Sequence, residues 1–154
     1  MFREMRRKDK QISTEQAIEI LKRCSYGVLS LVGENGYGYG VPLNYVYVDN
    51  KIYFHSAKRG YKLDSIKCNN KVSFCVVGKA EILPDKFDTK YESVIAFGKA
   101  EEVDGDEKYF ALMEMIKKYS KDFLDKGRKY IEDAGSQTRV FKINIEHITG
   151  KEEK

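Results

Sequence analysis

The sequence has no long apolar run and few cysteines. No stretch approaches the roughly 20 apolar residues that a membrane-spanning helix needs, and the N-terminus lacks the short apolar core of a signal peptide. Three cysteines, Cys24, Cys68 and Cys75, stand at spacings that match neither a zinc site nor a redox pair. We therefore expect a protein of the cytoplasm with reduced thiols, no metal site and no membrane contact.

The chain also lacks a strong excess of either charge. Lysine and arginine number 28 against 24 acidic residues, so the formal net charge is +4. A balance this close argues against a dedicated nucleic-acid-binding protein. One basic cluster precedes the first apolar periodicity, and we interpret it as a solvated or partner-covered tail in preference to a nucleic-acid arm. It consists of Arg3, Arg6, Arg7, Lys8 and Lys10.

Several familiar enzyme motifs are missing. The sequence contains no G-x-S-x-G nucleophile elbow, no cysteine–histidine signature and no phosphate-binding P-loop. What it does have is the composition of a globular protein, with 42% hydrophobic and 12% aromatic residues. A chain of 154 residues fits a single domain, which we place at residues 1–154.

Alternating apolar residues predict six strands. They cover 26–32, 38–48, 51–57, 71–83, 91–103 and 139–150. The first three are expected to form a meander, and the fourth and fifth to pair as neighbours. Pro42 cannot donate a ladder hydrogen bond, so its strand must be bulged there or lie at an edge.

Helical periodicity predicts helices between these strands. Ser13 and Gln16 form a capping box at the start of the first helix, at 13–24, and further helices are predicted within 58–70, 106–119 and 123–131. The order of the elements indicates a mainly β protein. We expect a six-stranded antiparallel barrel or closed sheet with peripheral α-helices.

The segment FHSAKRGYKLDSI joins the end of a strand to the start of a helix through Gly60. Free N–H groups at a helix start, a hydroxyl and several cations together favour a bound phosphate. A solvated basic turn explains the same residues. The polar side chains concerned are Ser56, Lys58, Arg59 and Lys62.

The aromatic and histidine residues leave two interpretations open. His55, on an apolar and aromatic strand, is either a packed, hydrogen-bonded side chain or a catalyst, whereas His147 is interpreted as structural or exposed. Tyrosines suit a half-buried pleated surface, and they can also line a ring-shaped pocket or a dimer surface. The set is Tyr37, Tyr39, Tyr45, Tyr47 and Tyr53.

Four segments in this order and spacing resemble a known family. They read YGVLSLVGENGYGYGVPLNYVY, IYFHSAKRGYKLDSIKCNNKVSFCVVG, YESVIAFGKAEEV and IEHITGK. Together they are similar to the pyridoxamine 5′-phosphate oxidase-like FMN-binding split barrels, in the branch of nitroimidazole-resistance (Nim) proteins. The resemblance implies a six-stranded antiparallel split β-barrel and a homodimer with FMN at the interface.

The resemblance also implies roles for individual residues. Lys62 would hold the FMN phosphate, Lys58 and Gly60 would shape its loop, and His55 would be the catalytic side chain near the reactive centre. The other expected cofactor contacts lie on three strands. Val41, Pro42, Leu43 and Asn44 would face the ring, His55, Ser56 and Ala57 would follow the ring and ribityl chain, and Glu92, Ser93 and Val94 would approach from the other side.

Two departures from the family pattern bear on function. Many relatives have a proline where this chain has Gly38, and an Asn-Pro where it has Asn69-Asn70, which loosens the expected pocket edges. The arginine-rich substrate signature of the pyridoxamine phosphate oxidases is absent near the C-terminus, so that reaction is not expected.

The resemblance therefore implies an FMN-dependent oxidoreductase. It would reduce a small oxidised acceptor such as a nitroaromatic (nitroimidazole) with electrons from NAD(P)H, and His55 would orient or protonate that acceptor. The alternative is a non-catalytic flavin-binding, storage or redox-sensing stress protein. A nucleic-acid-binding barrel ranks third and would require steeply salt-dependent binding.

Overall fold

One antiparallel sheet dominates the structure, a computed structural model that describes all 154 residues. The eight strands are β1 Gln11–Ile12, β2 Gly27–Val32, β3 Gly38–Leu43, β4 Val46–Val48, β5 Lys51–Ser56, β6 Lys71–Leu83, β7 Asp88–Val103 and β8 Arg139–Glu153. The four α-helices are α1 Thr14–Arg23, α2 Tyr61–Cys68, α3 Gly105–Tyr119 and α4 Leu124–Ala134. The strand order is β3-β2-β6-β7-β8-β5-β4, and β1 pairs with β8.

The sheet is rolled into a split barrel. The first and last strands in its order, β3 and β4, follow each other along the chain and are separated only by Asn44 and Tyr45. A linker this short holds the two ends of the sheet close together, so the sheet has to curl. Because β3 and β4 do not pair, the barrel stays open between them. The predicted fold class is confirmed.

The strand count differs from the predicted six in two places. The short strand β1 was not predicted, because two residues are too few to show an alternation. The predicted strand 38–48 is divided at Asn44 and Tyr45, where the chain passes from one end of the sheet to the other. Alternation continues through this crossing, so the sequence pattern alone does not reveal it.

Other strand predictions hold. Strands β6 and β7 pair as neighbours, with a register shift between Val77 and Ala80. Pro42 lies on β3, an edge strand, which is one of the two placements predicted for it. Gly98 follows a second register shift in β7, and a Cβ atom there would overlap with the main-chain carbonyl group of Asn144.

Helix α1 lies against the sheet and completes the main core. The predicted capping box is present: Ser13 Oγ accepts from the Gln16 N–H at 3.1 Å, and Gln16 Oε1 accepts from the Ser13 N–H at 3.0 Å. The buried face of α1 contains Ala17, Ile20 and Leu21. These side chains join the large core cluster that β2, β5, β6, β7 and β8 line from inside the barrel.

Helices α3 and α4 pack together outside the barrel, and α3 contacts β4, β5 and β8. A smaller core forms there around Tyr53, Ala111 and Met115. Gly127 allows the two helices to approach closely, since a Cβ at this position would lie 2.5 Å from the Ile116 side chain. None of the helices has the length and apolar character needed to cross a membrane.

Candidate functional site

The turn after β5 delivers several polar groups to the start of α2. Ser56 ends β5 and is buried, and Gly60 immediately precedes the helix with φ +151°, a conformation that favours glycine. No side chain caps α2, so the first N–H groups of this eight-residue helix remain available. This turn therefore has the donors that an anion requires.

Lys62 is the most distinctive group of the turn. Its side chain is half-buried, with Nζ 6.0 Å from the centre of the Phe54 ring. Desolvation by the surrounding protein lowers the pKa of Lys62, and no acidic side chain offsets this effect. A bound anion would pair with this ammonium group and offset the cost of removing it from water.

Arg139 holds the turn in place. Its Nη1 donates to the Lys58 carbonyl oxygen at 3.0 Å, while Nε and Nη2 donate to the two carboxylate oxygens of Glu102 at 2.9 and 2.7 Å. Arg139 was not among the predicted site residues. It lies 81 residues from Lys58 along the chain, and no local pattern indicates such a contact.

His55 lies on the other face of β5 from the barrel core. Phe54 and Ser56 are buried, whereas the His55 side chain is open to solvent on one side. Desolvation by the protein around the rest of the ring lowers the pKa of His55, and the positive charge of Lys62 lowers it further. His55 is therefore a neutral imidazole near pH 7, with one donor and one acceptor nitrogen.

Strand β3 contacts the start of α2 through one aromatic pair. The rings of Tyr39 and Tyr61 meet edge to face with their centres 4.9 Å apart. Val41 and Leu43 pack against the main core, and Pro42 is exposed on the opposite face of the edge strand. Asn44 uses its side-chain amide to donate to the Ser25 carbonyl oxygen at 2.9 Å.

The predicted residues on β7 lie far from this turn within one chain. Ser56 pairs with Arg139 and Ser93 with Lys151, so the two sets flank opposite ends of β8. The Glu92 carboxylate binds Arg23 at 2.8 Å and accepts from the Lys79 N–H at 3.1 Å. The Val94 side chain is fully buried in the core, and Ser93 is half-buried on the outer face. Within one chain, residues 55–62 therefore lie close to β3 and far from residues 92–94.

The outer face of β2, β6 and β7 carries exposed apolar side chains. They are Val32, Val77, Ile95 and Phe97, of which Val77 is 58% exposed. Met1 and Phe2 line a groove of about 590 Å³ on this face together with Val32 and Phe97. Phe2 stacks on His147 with the ring centres 4.9 Å apart. We call this surface, from β2 to β7, the open sheet face.

The sequence profile described as pyridoxamine 5′-phosphate oxidase matches residues 13–152, which cover both β3 and the turn after β5. The chain belongs to the pyridoxamine 5′-phosphate oxidase family. The resemblance seen in the sequence is thus confirmed at the level of the family. No curated protein shows a significant match to this member.

Solved structures share the fold of this family member. A candidate 5-nitroimidazole antibiotic resistance protein from Bacteroides thetaiotaomicron is 24% identical with a TM-score of 0.79, covering 92% of this chain and 85% of that one. An FAD-binding protein from Mesorhizobium loti is 23% identical, with a TM-score of 0.67 and coverage of 94% and 98%. An FAD- and haem-binding protein from Mycobacterium smegmatis is 16% identical, with a TM-score of 0.81 and coverage of 94% and 74%.

Proposed function

We propose that residues 1–154 form one flavin-binding domain and that the protein is an FMN-dependent reductase. The observation that carries this proposal is Lys62, a desolvated cation without an acidic partner at the uncapped start of α2. Family membership and the FAD-binding proteins among the structural relatives support a flavin as the cofactor. A phosphate group would supply the negative charge that Lys62 does not find within the protein.

The residues around the turn fit the phosphate end of the cofactor. Lys62, the Ser56 hydroxyl and the first N–H groups of α2 would hold the phosphate, while Ala57, Lys58 and Gly60 shape the loop. The free edge of β3, from Val41 to Asn44, offers main-chain groups to the edge of a ring. These groups are available because β3 pairs with β2 on one side only.

A second copy of the chain would complete the site. Within one chain, residues 92–94 and the turn at 56–62 flank opposite ends of β8, so only another copy can bring the two sets together. The open sheet face offers the apolar surface that such a contact needs. In this homodimer the Glu92 carboxylate stays with Arg23, and Ser93 and the main chain of Val94 face the cofactor of the other protomer.

The bound flavin would take a hydride from a reduced nicotinamide and pass electrons to a small oxidised acceptor such as a nitroaromatic. The protein would supply the phosphate grip and the main-chain groups on β3. His55, neutral near pH 7, can donate a hydrogen bond to the acceptor and hold a proton at its second nitrogen. Because His55 lies near Lys62, it is close to the turn proposed to hold the cofactor phosphate.

Titration of the purified protein with FMN, FAD and riboflavin tests the cofactor assignment. Riboflavin lacks the phosphate, so the Lys62→Met variant should weaken FMN binding about tenfold and leave riboflavin binding unchanged. Lys67→Met, at an exposed position on the same helix, is the matched control. Failure of every flavin to bind would overturn the proposal, and tighter binding of FAD would replace FMN as the cofactor.

Anaerobic addition of NADH or NADPH to the flavin complex tests the reaction. We expect the absorbance near about 450 nm to bleach and to return when a nitroaromatic acceptor is added. Persistent colour would instead support a flavin-binding protein without turnover. Light scattering measures the mass in solution, and we expect the mass of a dimer. A monomer at all concentrations would contradict the proposed homodimer.

A further inference from the structure

A polar depression lies between helix α2 and the hairpin that joins β2 to β3. Its lining consists of Glu34 and Asn35 from the hairpin and Tyr61, Asp64 and Ser65 from α2. Every one of these side chains carries an oxygen atom, and none is basic. The depression includes no residue that we assign to the cofactor or to the reaction. We call it the hairpin pocket.

Ser65 gives the hairpin pocket a buried oxygen atom without a partner. The residue is 1% exposed, and its hydroxyl group has no hydrogen-bond partner in the protein. A serine inside a helix commonly donates to the carbonyl oxygen four residues earlier, which Ser65 does not do. The hydroxyl group faces the hairpin instead, because a Cβ atom at Gly33 would lie 2.8 Å from Ser65 Oγ and 2.8 Å from the Tyr61 hydroxyl oxygen. A ligand that contacts Ser65 Oγ would offset the cost of burying it unpaired.

Glu34 and Asp64 give the same pocket its negative charge. Neither carboxylate forms a salt bridge, and no lysine or arginine belongs to the lining. The Asn35 side-chain oxygen accepts from the Tyr37 N–H at 3.0 Å, which orients the amide and leaves the oxygen a second lone pair. The pocket therefore suits a positively charged ligand that binds to oxygen.

Among such ligands, the mixture of oxygen donors favours calcium. Calcium accepts about six to eight oxygen ligands in a flexible geometry, and carboxylate, amide and water oxygens all serve. Magnesium requires a nearly octahedral arrangement and gives up its water reluctantly, which a loop and a helix with unlike side chains do not favour. The prediction of no metal site rested on the spacing of the cysteines, and cysteine spacing has no bearing on a site built from oxygen atoms.

We propose that the hairpin pocket binds one calcium ion, with Glu34 and Asp64 as charged ligands, Ser65 Oγ as the buried ligand, and the Asn35 amide and water in the remaining positions. The ion links the hairpin to α2. No group of three or more histidine, cysteine, aspartate or glutamate side chains in the chain could hold a metal ion. With two carboxylates, the site belongs at the weak end of calcium affinities, with a Kd on the order of 0.1 to 1 mM. This proposal does not rest on the proposed function, because no flavin takes part in it.

Calorimetric titration of the flavin-free protein with calcium chloride, at constant ionic strength, tests the proposal. We expect one calcium ion per chain and binding of magnesium that is weaker by about tenfold. Glu34→Gln and Asp64→Asn should each weaken calcium binding by about tenfold, because each removes a charged ligand. Asp85→Asn, at an exposed position between β6 and β7, is the matched control and should not change it. No calcium uptake, or equal affinities in these three variants, would overturn the proposal.

Ser65→Ala distinguishes a ligand from a structural serine. We expect calcium binding to weaken by about fivefold, whereas the Tm measured without calcium should not fall, because the variant removes a hydroxyl group that has no partner. A lower Tm with unchanged calcium affinity would contradict the proposal.

Manganese locates the ion in the unmodified protein, whatever the stability of the variants. This paramagnetic ion takes the same oxygen ligands, and it should broaden the amide resonances of residues 33–36 and 61–65 before any others. Added calcium should restore these resonances. Broadening that begins in another part of the chain would show that the hairpin pocket is not the site.

Discussion

The side-chain amine of Lys118 donates a hydrogen bond to the main-chain carbonyl oxygen of Tyr45 at 3.0 Å and lies 4.0 Å from the centre of the Tyr45 ring. Tyr45 is fully buried in the linker between β3 and β4. Its N–H donates to the Tyr119 hydroxyl at 3.0 Å, and its own hydroxyl donates to the Leu21 carbonyl oxygen. The end of α3 thus provides hydrogen-bond partners for the main-chain N–H and carbonyl groups of Tyr45, which have no partner on a neighbouring strand. These bonds stabilise the linker with which the chain crosses from β3 to β4.

Lys118 should make stability depend on pH in the alkaline range. Burial lowers its pKa to about 8, whereas an unfolded lysine titrates near pH 10.4. Between these values the unfolded chain binds more protons, so this group raises the free energy of unfolding as pH increases. We expect the stability of the natural protein relative to Lys118→Met to rise by about 1 to 2 kcal/mol between about pH 8 and pH 10.

Urea unfolding at several pH values measures this difference. Buried thiols and phenols also titrate in the range, and comparison with the variant cancels their contribution. Lys117→Met, at the exposed neighbouring position, is the control and should show a pH-independent difference. Parallel pH profiles for the natural protein and Lys118→Met would contradict the assignment.

Removal of the Tyr119 hydroxyl should destabilise the barrel crossing. This hydroxyl accepts from the Tyr45 N–H and shares its one proton between the carbonyl oxygens of Tyr45 at 2.8 Å and Ser25 at 2.6 Å. Tyr119→Phe leaves the buried N–H without a partner, at an expected cost of about 1 to 3 kcal/mol in the free energy of unfolding. Tyr109→Phe removes an exposed hydroxyl from the same helix, and a loss as large in this control would show that the crossing is not responsible.

Glu92→Gln should reduce stability and leave FMN affinity within about twofold of the natural value, because Arg23 already binds the carboxylate. The hydrogen bonds from Arg23 lower the pKa of Glu92, so its stabilisation is present above the unfolded glutamate pKa and is lost as pH falls. We expect a loss of about 1 to 3 kcal/mol near pH 7 that shrinks below about pH 4. Glu81→Gln, at an exposed position, is the stability control. A large fall in FMN affinity would place the carboxylate at the cofactor.

His55→Ala should impair turnover far more than flavin binding. A positioned proton donor contributes about a hundredfold or more to a rate, so kcat for nitroaromatic reduction should fall by about that factor while FMN affinity changes by about twofold at most. Because burial and Lys62 lower the pKa of His55, the pH profile of turnover should change below about pH 6.5 and lose this feature in the variant. Unchanged steady-state reduction would remove the catalytic role.

Much of the fold could be predicted because its signals are local. Alternation identified the course of β2, β6, β7 and β8, and the capping box of Ser13 and Gln16 located the start of α1, since each signal depends on neighbours a few residues apart. The same holds for the turn at 56–62, where the residue types and Gly60 indicate an anion site without knowledge of the rest of the chain.

The sequence by itself determined the family, most of the strands and helices and the basic turn before α2. Only the tertiary structure decided that the chain crosses from β3 to β4 at Tyr45 and that Arg139 donates a hydrogen bond to the Lys58 carbonyl oxygen. It also decided that Glu92 forms an ion pair with Arg23 and that His55 lines a small pocket beside α3 and α4. Each of these depends on groups from distant segments whose meeting is set by how the sheet rolls and how the helices pack. No pattern of neighbouring residues encodes such a meeting.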